Sequence, residues 1–239
     1  PPTPVRLHDT IQQLAILDED VLDCCGVDTI ELGRGFAREE RWWADWVLPD
    51  ASLCQVPVWD VPQREAGRWV MKSASGRVIG QMVDGSLYFE QASFPLAEDP
   101  GMALADALRE CMWTARVAPP GPAGSRETGG LDLAEGARAL RRSSERAITG
   151  LFGGNLLEIG EYLYRMDNFL GMLAAEPRRV HRFLDGLVEH HLRNLERFLG
   201  VVGQSIDVIV FGDDLGMQTG PLMSPAMYRE FFKPRHSLL

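Results

Sequence analysis

The chain has 239 residues, and 24 Lys+Arg against 34 Asp+Glu leave a formal net charge of −10, with 45% hydrophobic residues. An acidic globular composition lacks the basic field that phosphate neutralisation needs, which sets nucleic acid aside as a partner. No apolar run approaches the ~20 residues that span a bilayer and the Pro-rich start carries no signal-like apolar stretch, so a cytoplasmic protein with no membrane association is expected.

Apolar positions at Leu7, Ile11, Leu14 and Leu17, then Val21 and Leu22, predict two short helices, the second opened by Asp18. Val27 to Leu32 alternates as a strand. From Trp42 to Phe94, short β-branched or apolar runs such as Trp69–Met71, Arg77–Met82 and Leu87–Phe89 alternate with turn residues, which predicts an antiparallel meander. Five of the six tryptophans fall between Trp42 and Trp69, and covering a small sheet is the economical reading of them. Helical spacing returns over Ala103 to Val117, a Pro- and Gly-rich loop runs from Pro119 to Gly130, and Asp132 to Arg146 reads as a helix. Ala147 to Phe152 reads as a short strand ended by Gly153-Gly154, with helical segments over Leu156 to Ala175 and Pro177 to Leu199, the latter stopped by Gly200. Ile206 to Phe211 is a nearly continuous apolar strand of the kind parallel sheets bury, and Ser224-Pro225 opens a final helix.

Gly212-Asp213-Asp214-Leu215-Gly216 follows that last strand, at the carboxyl end where α/β folds place their ligands. Two neighbouring carboxylates there, Asp213 and Asp214, are the expected catalytic groups, since mutual repulsion in a partly dry site raises one into a general-acid range. The alternative is an Asx-type turn closing the strand. Gln218, on the same loop, and Tyr162, after the Gly153-Gly154 strand end, are the expected substrate-binding groups. His191 lies in the apolar stripe of its helix and reads as packing, whereas His181 and His190 read as solvent-facing. Cys24, Cys25, Cys54 and Cys111 show no paired spacing and read as idle thiols. No metal site is expected from these residues.

The segment from Val208 to Leu239, VIVFGDDLGMQTGPLMSPAMYREFFKPRHSLL, resembles the uroporphyrinogen decarboxylase superfamily, in particular the branch near the cobalamin-dependent methyltransferases. HDTIQQLAILDEDVLDCCGVDTIELGRG and GLFGGNLLEIGEYLYRMDNFLGML extend the likeness toward the amino terminus. The resemblance implies an α/β fold of the (β/α)8 TIM-type barrel class with an antiparallel β insert. It places Asp213 where true decarboxylases carry a substrate-binding Ser, and Tyr162 near their active-site Tyr. Their amino-terminal arginine-bearing motif is not visible here, and neither is the His-x-Cys zinc motif of the methyltransferases.

The expectations are therefore a barrel start over residues 1–41, a β insert over 42–94 and a continued barrel over 95–239. Only three barrel strands can be assigned, so the chain reads as the first half to two-thirds of a barrel. The resemblance implies an enzyme that moves a methyl group between a small methylated substrate and a corrinoid protein or thiol, with any zinc bound by segments outside these residues. The alternatives are decarboxylation of a uroporphyrinogen-like or other acidic substrate without a cofactor, and a non-catalytic partner that docks a corrinoid protein through the tryptophan-rich insert.

Overall fold

The computed structural model describes residues 4–35, 39–115 and 133–239. In the amino-terminal part, β1 (Val5–Asp9), β2 (Leu14–Ala15), α1 (Glu19–Cys24) and β3 (Thr29–Glu31) precede a β-rich region of β4 (Trp43–Val47), β5 (Leu53–Pro57), β6 (Gln63–Glu65), β7 (Arg68–Lys72), β8 (Val78–Met82) and β9 (Glu90–Gln91). Helices α2 (Pro95–Glu98), α3 (Leu104–Arg109), α4 (Met112–Ala115) and α5 (Leu133–Ser143) lead to β10 (Ala147–Gly153). Then come α6 (Leu157–Tyr164), α7 (Met166–Ala175), α8 (Pro177–Val202), β11 (Val208–Phe211), the hairpin β12 (Gly216–Met217) and β13 (Gly220–Pro221), α9 (Pro225–Met227), a π-helical turn at Tyr228–Phe232 and α10 (Lys233–His236).

The barrel expectation is corrected by the sheet topology. β3, β10 and β11 do pair in parallel, in the order β11-β10-β3, but this sheet has three strands and does not close. The other strands form separate small sheets, β2-β1-β5-β4, β6-β7-β8-β9 and β12-β13, so the chain is a mixed α/β protein. Helices cover one face of the parallel sheet: Ile30, Ile148 and Phe152 pack against Ala137 and Leu140 of α5 and Phe198 and Val202 of α8. Side chains alternate across a strand, and on the opposite face Leu151, Val208 and Val210 are exposed.

The helix expected near the start is instead the hairpin β1–β2. Asp9 Oδ1 accepts the Gln12 amide at 2.8 Å and Gln13 takes a positive φ of 57°, so the chain turns back where a helix would continue. Leu7 and Ile11 are still buried, against Trp46, Cys54 and Val56, and so satisfy the apolar spacing in another geometry. Because β1 pairs in parallel with β5, the tryptophan-rich region shares its sheet with a strand that precedes it by 49 positions at the Arg6–Gln55 contact. The meander expectation holds for β6 to β9, except that Leu87 and Tyr88 are exposed in a turn and the strand forms at β9.

Downstream, the helical stretch from Ala103 breaks into α3 and α4, and the loop expected at Pro119–Gly130 lies outside the described residues. The stretch from Leu156 bends at Arg165, whose φ is 69°, separating α6 from α7. α8 runs through Gly200 to Val202, since a single glycine costs a helix only about 1 kcal/mol and the stripe Val180, Leu184, Leu187, His191, Asn194, Phe198 and Val202 stays buried. Ser224 caps α9 as its position predicts, its hydroxyl accepting the Met227 amide at 3.2 Å.

Candidate functional site

Gly153 and Gly154, with φ of 82° and 70°, take the left-handed turn that leads from the carboxyl end of β10 into α6. Their neighbour in the sheet, β11, ends at Phe211, and the Gly212 amide donates to the Gly153 carbonyl at 2.8 Å. These two strand ends bring Asp213 over the first turn of α6. Asp213 Oδ2 accepts the amides of Leu156 and Leu157 at 3.1 and 2.9 Å, and Oδ1 accepts that of Glu158 at 3.1 Å. The carboxylate supplies the helix cap that Leu156, with no side-chain acceptor, does not. His236 approaches from α10 to 3.0 Å of Oδ2 through Nε2, and its Nδ1 lies 3.4 Å from the Tyr228 hydroxyl. Asp213 is thus filled with donors, and its side chain is only 5% exposed.

Asp214 is exposed, and its Oδ1 accepts the Gly216 amide at 3.3 Å, the Asx-type turn weighed as the alternative reading. Gln218 is exposed at the tip of the β12–β13 hairpin. Tyr162 joins the cluster: its hydroxyl donates to Glu158 Oε1 at 2.7 Å and its ring stacks on Trp113 at 5.5 Å. Burial and the Glu158 carboxylate both raise the phenol's pKa, so it stays protonated and donating. Glu158 is the hub, since its Oε2 also accepts the Asp214 amide at 3.0 Å and the Asn155 side-chain amide.

Sequence reasoning missed Glu161. This side chain is buried, and its Oε1 has no hydrogen-bond partner among the described residues. Burial first, then the charges of Glu158, Asp213 and Asp214, push its pKa up to about 7. A carboxyl poised there exchanges protons readily near neutrality. The available signal was the spacing Glu158, Glu161, Tyr162, which puts three polar groups on one helix face directly after a strand end. Among the described residues, no Arg or Lys hydrogen-bonds or ion-pairs with Glu158, Glu161, Asp213 or Asp214, which leaves the cluster negative.

His191 flanks the cluster from α8, its Nε2 contacting the Asn155 carbonyl at 3.0 Å. Burial lowers its pKa to about 4, so it is a neutral packing residue with its ring edge-on to Phe152. His181 and His190 are half-buried rather than free in solvent: His181 stacks on Phe231 at 4.6 Å, and His190 Nε2 meets Asn194 at 2.8 Å. Cys111, beneath the Tyr162 carbonyl, is buried and its thiol is pushed up to about 11, which removes it as a nucleophile at neutral pH. Among the described residues no group of three or more His, Cys, Asp or Glu side chains is arranged to hold a metal ion. The four carboxylates do not fit zinc, because Asp213 and Glu158 already spend their oxygens on N–H and O–H donors. Among the described residues no helix is long and apolar enough to cross a membrane. Comparisons with protein-family models, curated proteins and solved structures gave no match to this chain.

Proposed function

We propose that the chain is an enzyme acting on a small molecule by acid–base chemistry at the Glu161 cluster. The reaction proposed is methyl transfer between a small methylated substrate and a corrinoid protein or thiol, as the resemblance of Val208 to Leu239 to the uroporphyrinogen decarboxylase superfamily implies. The observation that carries it is the buried Glu161 carboxyl, without a hydrogen-bond partner for Oε1 among the described residues and pushed up to about 7 beside three other carboxylates. When a methyl group leaves a heteroatom, the C–X bond electrons remain on that heteroatom, and a proton delivered to it lowers the barrier. Glu161 is the proton donor in this scheme, and in the reverse direction, methyl transfer from methylcobalamin to a thiol, its carboxylate accepts the proton that the thiol loses. Tyr162 donates to Glu158 and holds it in place, and Asp213 fixes the start of the helix that carries both glutamates. No step is assigned to zinc.

The negative cluster disfavours the decarboxylase alternative, since a polyacidic substrate would meet like charge with no bonded Arg or Lys among the described residues to offset it. The docking alternative also loses support, because Trp43 and Trp46 are buried and Trp42 packs edge-on to Trp59 at 5.9 Å.

The test is incubation of the purified protein with methylcobalamin and a panel of thiols, following loss of the methylcobalamin absorbance, alongside carbon dioxide release from uroporphyrinogen. Demethylation that falls about 10²–10⁴-fold in Glu161→Gln supports the assignment. Undiminished turnover in that variant removes Glu161 from the chemistry, and carbon dioxide release without demethylation reverses the order of the two reactions.

A further inference from the structure

A cavity lies away from the carboxylate cluster, on the sheet face opposite α5 and α8, with a volume of about 310 Å³. The β1–β2 region contributes His8, Ile16 and Leu17, the approach to β3 contributes Val27, and the sheet contributes Glu31 and Thr149, which are register partners. Its size is at the lower end of the range for small-molecule sites, and its walls combine apolar surface with a few polar groups.

The polar groups differ in how they are already engaged. Thr149 donates its hydroxyl to the Ile30 carbonyl at 3.2 Å. Arg34, also on the wall, binds the Leu17 carbonyl and pairs with Glu19 at 2.8 Å, so its charge is offset. The side chains of Glu31 and His8 make no hydrogen bond or ion pair among the described residues. Among the described residues, one carboxylate without a side-chain partner therefore lines a space whose other walls are aliphatic side chains, an imidazole, the engaged Thr149 hydroxyl and the Arg34 guanidinium paired with Glu19, and a cation placed there gains the attraction of a partly desolvated opposite charge.

We propose that this cavity binds a small organic ammonium ion, its charged head on Glu31 and its apolar body against Ile16, Leu17 and Val27. The inference is independent of the reaction proposed at Glu161. It is tested by amide chemical-shift perturbation of the whole chain with benzylamine, benzyl alcohol and benzoate. Benzylamine is expected to perturb the amides around Glu31 and Thr149 with a Kd of about 1 mM, as suits so small a ligand. Benzyl alcohol is expected to bind about tenfold more weakly, and benzoate to be excluded. Glu31→Gln should lower benzylamine affinity to that of the alcohol, while Glu161→Gln leaves it unchanged. Leu17→Trp, at a half-exposed wall position, should fill the space and abolish binding. Equal binding of amine and alcohol, preference for benzoate, shifts confined to other regions, no binding, or full affinity in either Glu31→Gln or Leu17→Trp would overturn the proposal.

Discussion

Four hydrogen bonds converge on the Asp213 carboxylate, three from the backbone amides that open α6 and one from His236. Replacing Asp213 by Ala leaves those amides without their acceptor in a region where water is scarce. Thermal or urea unfolding of Asp213→Ala should show a loss on the order of 2–3 kcal/mol. Asp214→Asn, which keeps an oxygen for the Gly216 amide at an exposed position, should stay within about 0.5 kcal/mol of the parent. A reversed ranking would make Asp214 the structural member of the pair. The place of Asp213 is legible in the sequence, because an apolar strand ending in Gly-Asp-Asp puts a carboxylate at a sheet terminus. Its amide partners are not, since they open a helix 55 to 57 positions earlier. Glu161 was less legible still: an acidic residue between Gly160 and Tyr162 looks like a solvated side chain until the fold buries it beside other carboxylates.

The glutamate-bearing helix owes its position to its neighbour. α6 and α7 meet so closely that a Cβ at Gly160 would fall within the contact distance of the Phe169 ring, which is fully buried and cannot swing aside. Gly160→Ala should therefore destabilise the protein by about 1–3 kcal/mol through overpacking, despite the better helix propensity of alanine. An unchanged or raised melting temperature would show that the two helices separate freely. Among the elements, α8 and β10 are legible because a sustained apolar stripe or run leaves one geometry for each. β11 forms within its apolar run but is largely exposed, because the three-stranded sheet is covered by helices on one face only, so the burial expected of it is not met. The first twenty residues are not legible. Leu7 and Ile11 satisfy helical spacing, yet Asp9 and Gln13 make a turn and the strand partner of β1 lies in β5, beyond the reach of local pattern. The resemblance supplied a barrel, whereas strand pairing follows which edges meet, and here the parallel sheet stops at three strands.

At the scale of the molecule, two buried titrating groups pull stability in opposite directions. Glu161, raised from 4.5 to about 7, costs nothing below pH 4.5, and its penalty grows as pH rises from there to about 7, because the unfolded chain releases that proton first. His191, lowered from 6.5 to about 4, favours the folded state above pH 6.5, and this contribution is lost as pH falls toward about 4. Their slopes oppose one another between pH 4.5 and 6.5. Glu161→Gln should remove one of them, making the protein more stable at pH 8 by on the order of 2–3 kcal/mol and exposing a loss of about 1.4 kcal/mol per pH unit on acidification below 6.5. Urea midpoints across this range check it, and a variant profile parallel to the parent's would show that Glu161 is not held protonated. The bridge from Asp213 to Leu156 also bears on how the chain reaches its folded state. The start of α6 is closed by a residue 57 positions later, so during synthesis the helix emerges with its leading amides open. That turn is completed only after α7, α8 and β11 have emerged, a long-range closure of the kind that slows folding. The carboxylate cluster is then assembled late, once the strand that carries Asp213 has paired with β10.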